Sequence, residues 1–98
     1  MIVKKPPAMI GGATVLRYSP IDQRHRHTGS CKHFVAGRLV GPTAGLAICQ
    51  YPNDSGFYLF GCDECWNSIT DTYHDTLEDA LHQADFEYEG VSATWREP

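Results

Sequence analysis

Several things are scarce in this chain. Long apolar runs are missing: nowhere do roughly 18 consecutive apolar residues occur, the length a membrane-spanning helix needs. Positive charge is missing from most of its length, since Arg96 is the only Lys or Arg beyond Arg38. Catalytic signatures are missing too. There is no Gly-rich phosphate loop, no His-Glu-x-x-His run and no nucleophile motif. The first absence predicts no membrane span. The opening MIVKKPPAMIGG lacks the apolar run of a secretory signal, so the expected location is the cytoplasm. The absence of signatures turns the expectation away from an enzyme.

What is present is the composition of one folded domain. The chain has 98 residues, 42% of them apolar. Its net charge of −4 hides an asymmetry. Residues 1–38 carry seven bases and one acid, Asp22, for +6; residues 39–98 carry Arg96 and eleven acids, for −10. Either each region meets a partner of opposite sign, or the two pack together and neutralise one another. The four cysteines, Cys31, Cys49, Cys62 and Cys65, are expected as reduced thiols in a cytoplasmic chain.

Turn residues divide the chain into short strands. Residues 1–12, with Pro6, Pro7, Gly11 and Gly12, read as a flexible arm before a single domain over 13–98. Strands are expected at 13–18, 33–40, 45–51, 56–62 and 66–73, with a polar loop between the first two. A helix is expected over 76–89. Asp75 or Thr76 caps it, Leu77, Ala80, Leu81, Ala84 and Tyr88 form one apolar stripe, and Gly90 ends it. The fold class is therefore α+β: an antiparallel sheet of four or five strands with one C-terminal helix on one face. The other sheet face is solvated, covered by the arm and tail, or paired with a second copy of the chain.

Some groups of residues invite a chemical reading. Cys62-Asp63-Glu64-Cys65 reads as a two-residue hairpin loop that sets two thiols opposite one another. With Cys31 and His33, or with His25 and His27, they make a tetrahedral zinc set, the alternative to an expectation of no cofactor. The spacing is irregular and bulky Trp66 follows Cys65. The pair also precedes a strand, whereas reactive Cys-x-x-Cys pairs sit at helix N-termini. The loop from Gln23 to His33 gathers Arg24, Arg26, Lys32, His25, His27 and His33, a set able to hold phosphate. It lacks interleaved aromatics, so nucleic acid is not the expected partner. Asp71, His74 and Asp75 offer acid/base groups, and a small enzyme using His74 and Asp71 is one alternative. The plainer reading has these acids capping the helix and its corner. Phe86 lies opposite the Leu77/Leu81 stripe. It is either an anchor for a partner or covered by Trp95 or Val91.

The run from Gly56 to Trp95 resembles the C-terminal part of small bacterial proteins of unknown function. The shared pattern is Cys62-Asp63, Trp66-Asn67, Thr70 to His74, Leu77 to Glu87 and a late Trp95. The resemblance implies no activity. In its pattern the position of Cys65 is usually not cysteine, which weighs against zinc there, and Phe86 belongs to the shared framework.

The function expected from these residues is a small non-catalytic binding or protein-interaction domain, regulatory or of the toxin-immunity type. Its partner is another protein. The expected contact residues are Glu78, Asp79, Phe86 and Glu89, where acidic charge and an exposed aromatic combine.

Overall fold

The computed structural model describes residues 4–98. A five-stranded antiparallel sheet and one helix form its frame. In chain order the elements are β1 (Met9–Ile10), β2 (Ala13–Pro20), β3 (Arg26–His27), β4 (Phe34–Val35), β5 (Arg38–Leu39), β6 (Gly45–Gln50), β7 (Phe57–Cys62), β8 (Ser68–His74), α1 (Leu77–Glu87) and β9 (Tyr88–Glu89). A short 3-10 turn, Val91–Ala93, follows. The main sheet runs β1-β2-β6-β7-β8. Its centre is β6, whose LAIC run is buried on both faces.

Two sequence expectations are corrected here. The strand expected over 33–40 is instead a separate hairpin, β4 with β5. Ala36 and Gly37 both have positive φ, 53° and 78°, the geometry of a tight hairpin turn, and Val40 N–H donates to the His33 carbonyl. The place of that strand in the sheet is taken by β1, from the expected arm. Met9 and Ile10 pair with Thr14 and Ala13, and Ile10 and Pro6 are buried, so the segment is held from Pro6 onward. Residues 1–3 lie outside the described residues.

The helix has Thr76 as its N-cap, its hydroxyl accepting from Asp79 N–H at 3.0 Å. It ends two residues earlier than expected. Tyr88 turns extended and, with Glu89, pairs with His27 and Arg26. The loop provides the competing backbone partners that stop the helix. Thr28 N–H donates to the Glu87 carbonyl, and the Thr28 hydroxyl donates to that of Phe86. Ala80 and Ala84 face the sheet directly, with Leu77 and Leu81 half-buried beside them.

Two apolar cores result, one on each side of the sheet. Leu46, Ile48 and Leu59 meet Ala80, Ala84, Tyr88 and Val91 beneath the helix. On the opposite face Val15, Tyr18, Ala47, Cys49, Phe60 and Cys62 pack under Trp66. The Trp66 ring is 4% exposed, and its Nε1–H donates to the Lys4 carbonyl. This face is therefore covered within the chain by β1, the segment before it and the β7–β8 turn. The tail closes β2 at its other end, where Tyr18 and Arg96 exchange two backbone hydrogen bonds.

Candidate functional site

The loop between β2 and β6 carries half of the chain's Lys and Arg residues, Arg24, Arg26, Lys32 and Arg38, and lies against the end of α1. Arg26 forms an ion pair with Glu89, Arg24 with Asp22, and Arg17 with Glu97. The opposed charges of the two halves thus meet in part within the molecule. Gly90, with φ of 91°, permits the close approach: a Cβ there would stand 2.6 Å from the Arg24 carbonyl oxygen.

His25 is a structural member of this loop. Its side chain is fully buried. Nδ1 accepts from the Asp22 N–H at 3.1 Å, so Nε2 carries the proton and donates to Thr94 Oγ1 at 2.8 Å. Asp22, His25 and Thr94 stand in the order of a catalytic triad. However, the ring nitrogen that a triad carboxylate would orient is occupied by backbone, and the Thr94 hydroxyl is shared with Ser19, itself buried. The arrangement ties loop, strand and tail together.

The other end of the loop brings three donors of different chemistry to one point. Cys31 Sγ lies 3.5 Å from His33 Nε2, and that nitrogen lies 2.9 Å from Glu87 Oε1. All three donor atoms fall within 4.8 Å of one another. Glu87 is the last residue of α1 and is only 5% exposed. Its second oxygen accepts from Gln83 Nε2 at 2.8 Å. Burial raises the Cys31 thiol above its ordinary pKa, the Glu87 carboxylate adds to the rise, and a hydrogen bond with Gln83 opposes it. A hollow with room for about one water, about 10 Å³, is lined by His33 and Glu87 together with His27, Thr43, Thr70 and Tyr88. Gly61 forms its floor: a Cβ there would meet Thr70 Oγ1 at 2.4 Å and Thr43 Cγ2 at 2.9 Å.

The alternative zinc set, Cys31, His33, Cys62 and Cys65, is only half assembled. Cys31 and His33 come together, but Cys62 and Cys65 join neither them nor each other. The turn is longer than expected: Cys62 pairs with Ser68, and residues 63–67 form the loop. The Asp63 carboxylate organises it by accepting from the N–H groups of Cys65 and Asn67 and from the Asn67 amide, which also hold its pKa below the usual carboxylate value. Cys62 ends in the core and Cys65 in solvent. Burial pushes the Cys49 and Cys62 thiols up to about 12, which disfavours their thiolate forms.

The pair of the alternative enzyme reading, Asp71 and His74, also separates. β8 runs without a bulge from Thr70 to His74, so Asp71 and His74, three residues apart, point to opposite faces of the sheet. His74 Nε2 is paired with Thr72 Oγ1 at 2.7 Å on the helix side. Asp75 is exposed and does not cap the helix.

Of the expected contact residues, Glu78 and Asp79 are exposed in the first helical turn, and Phe86 is 53% exposed. Neither suggested cover reaches full effect. Val91 and Trp95 pack instead into the core beneath the helix. Glu89 is exposed but paired with Arg26. The sequence reading missed a further apolar surface: Phe34, Val35 and Leu39 of the β4–β5 hairpin are 62%, 46% and 59% exposed. Reading 33–40 as a core strand hid it. Glu87 was missed as well; its signal was a carboxylate at the position one turn after Gln83 and Ala84, on the helix's inner side.

No family model, curated protein or solved structure matches the chain. The helix contains no stretch long and apolar enough to cross a membrane.

Proposed function

We propose that this chain is a non-catalytic binding domain that recognises another protein through the outward side of α1 and the adjoining hairpin. The observation that carries the reading is Phe86. A large aromatic remains half in water while the tail that could cover it packs elsewhere. Asp79, His82 and Phe86 fall along one line of the helix, at spacings of three and four residues, so an acidic group and an aromatic share one surface. His33, at the base of the hairpin, is tied to Glu87, the residue after Phe86. The exposed Phe34, Val35 and Leu39 therefore extend from the same end of the helix. Charge near the helix start speeds encounter with a cationic partner, and the aromatics supply the contact that slows its release. A regulatory or toxin-neutralising role matches this chemistry by analogy of size and charge.

The test is a photo-crosslinking amino acid placed at position 86, and separately at position 64 in the β7–β8 turn, in the native host. The reading expects a partner captured from 86 and not from 64. With that partner purified, Phe86→Ala weakens binding by about tenfold or more, chiefly through faster dissociation. Asp79→Lys slows association most at low salt. Equal capture from both positions, or affinity unchanged by both substitutions, overturns it.

A further inference from the structure

We propose that Cys31, His33 and Glu87 form a binding site for a divalent transition metal, zinc by the chemistry of its donors, with water as the fourth ligand. Thiolate, imidazole and carboxylate are the three side-chain ligand types zinc takes, and three protein ligands with one water make an open tetrahedral site.

Two of the three donor spacings lie near those of a tetrahedral zinc, and all three donor atoms fall within 4.8 Å of one another. A tetrahedral zinc with ordinary bond lengths sets sulfur and nitrogen about 3.6 Å apart and nitrogen and oxygen about 3.3 Å apart. Cys31 Sγ and His33 Nε2 are 3.5 Å apart, and His33 Nε2 and Glu87 Oε1 are 2.9 Å apart. The first distance already matches. The second is that of a hydrogen bond and opens by a few tenths of an ångström when a metal replaces the shared proton.

A hydrogen-bonded His33–Glu87 pair alone leaves part of the arrangement without a reason. Nε2 has a single position for a proton or a lone pair, yet two groups converge on it. The second, the Cys31 sulfur, stands 3.5 Å from that nitrogen with no proton left for it to receive. A cation between them turns each of these relationships into an attraction. It also suits the end of the helix. Glu87 is a buried carboxylate at the negative pole of α1, and the last turn has no basic residue on it. Gln83, holding Glu87 Oε2 at 2.8 Å, fixes the carboxylate's orientation as outer-sphere partners of metal ligands do. The hollow lined by His33 and Glu87 has room for the one water the fourth position needs.

Cobalt(II), which takes zinc's geometry and reports on its ligands, tests this on protein purified without a histidine tag. The expected result is binding of one ion per chain, with a near-ultraviolet thiolate-to-metal band and the visible bands of a four-coordinate ion, displaced by zinc. Zinc raises the melting midpoint of the parent chain. Cys31→Ser removes the thiolate band, and His33→Ala and Glu87→Gln weaken zinc binding by at least about tenfold. Cys65→Ser, a change at an exposed turn position, leaves the spectrum and affinity as in the parent. Circular dichroism confirms that each variant is folded. A parent chain that shows no thiolate band with excess cobalt overturns the proposal. So does a band that survives Cys31→Ser and disappears with Cys65→Ser, which would place the ion on the surface thiol.

Discussion

Trp66 stands edge-on to Tyr18, with ring centroids 5.8 Å apart and planes at 87°. This contact joins the β7–β8 turn to β2 and closes the core on the side of the sheet away from the helix. The turn puts Trp66 at φ 62°, a left-handed conformation uncommon for a bulky residue. The backbone accepts that strain in exchange for burying the ring. Trp66→Ala is expected to cost about 3–5 kcal/mol, measured by urea unfolding. Trp66→Phe keeps most of the packing and loses the hydrogen bond to the Lys4 carbonyl, at about 1 kcal/mol. If both variants unfold at the parent's midpoint, Trp66 does not close that core.

The helix rests on the sheet through two alanines, so its leucines matter less than the apolar stripe suggests. Leu81 is half-buried. Leu81→Ala is expected to cost about 1–2 kcal/mol, less than the ~2–5 kcal/mol of a fully buried leucine. Leu46→Ala, at 2% exposure under the helix, falls in that higher range. Thermal melts of the two variants rank them, and a larger loss at Leu81 would contradict the packing.

The four thiols separate by access. Cys65 is exposed, Cys31 is half-buried, and Cys49 and Cys62 are buried with pKa values pushed up to about 12. A chromogenic disulfide reagent at neutral pH is expected to titrate Cys65 first and Cys31 more slowly. It reaches Cys49 and Cys62 only at the rate of unfolding. Cys62 and Cys65 do not oxidise to one another in the folded chain, since one points into the core and the other into water. Rapid reaction of three thiols in the native protein, or a 62–65 disulfide by mass spectrometry, would be inconsistent with this order.

Much of the frame was legible because local signals agreed with the tertiary result. β6, β7 and β8 are apolar or β-branched runs bounded by turn residues, and the helix carries its own cap and stripe. What was not legible depended on contacts distant in sequence. Met9 and Ile10 are a strand only because β2 has a free edge for them. Tyr88 leaves the helix because Arg26 and His27 compete for its backbone. The HFVAGRLV run has strand composition throughout, and only the left-handed pair Ala36-Gly37 folds it back. For the site, Cys31 and His33 were visible as a short spacing. Glu87, 54 positions after His33, enters only once the loop docks on the helix end.

Asp22 gives the loop a measurable acid response. The side-chain and backbone hydrogen bonds from Arg24 lower its pKa from 3.8 to about 2. A lowered pKa means the folded turn favours the carboxylate. Its contribution is complete above pH 3.8 and is lost as the pH falls toward 2. Carbon-detected NMR of the Asp22 carboxyl is expected to give a midpoint near that lower value, and Arg24→Ala to move it back toward 3.8. A midpoint unaffected by Arg24→Ala would show that the pair does not form in solution.

Strands β2 and β6 remain paired up to Pro20 opposite Gly45, so the chain between them leaves and returns at one corner of the sheet. That segment can swing away without breaking any rung of the main ladder. Its attachments include the β3–β9 pair, Thr28 on the helix end, His25 with Thr94, His33 with Glu87, and Thr43 with the Tyr88 hydroxyl. The segment is expected to open as a flap at a smaller free-energy cost than the sheet beneath it. Amides of residues 26–28 would exchange with deuterium well ahead of those in β6. Every opening would uncover the carboxylate of Glu87, so any ligand held there also sets how often the flap lifts.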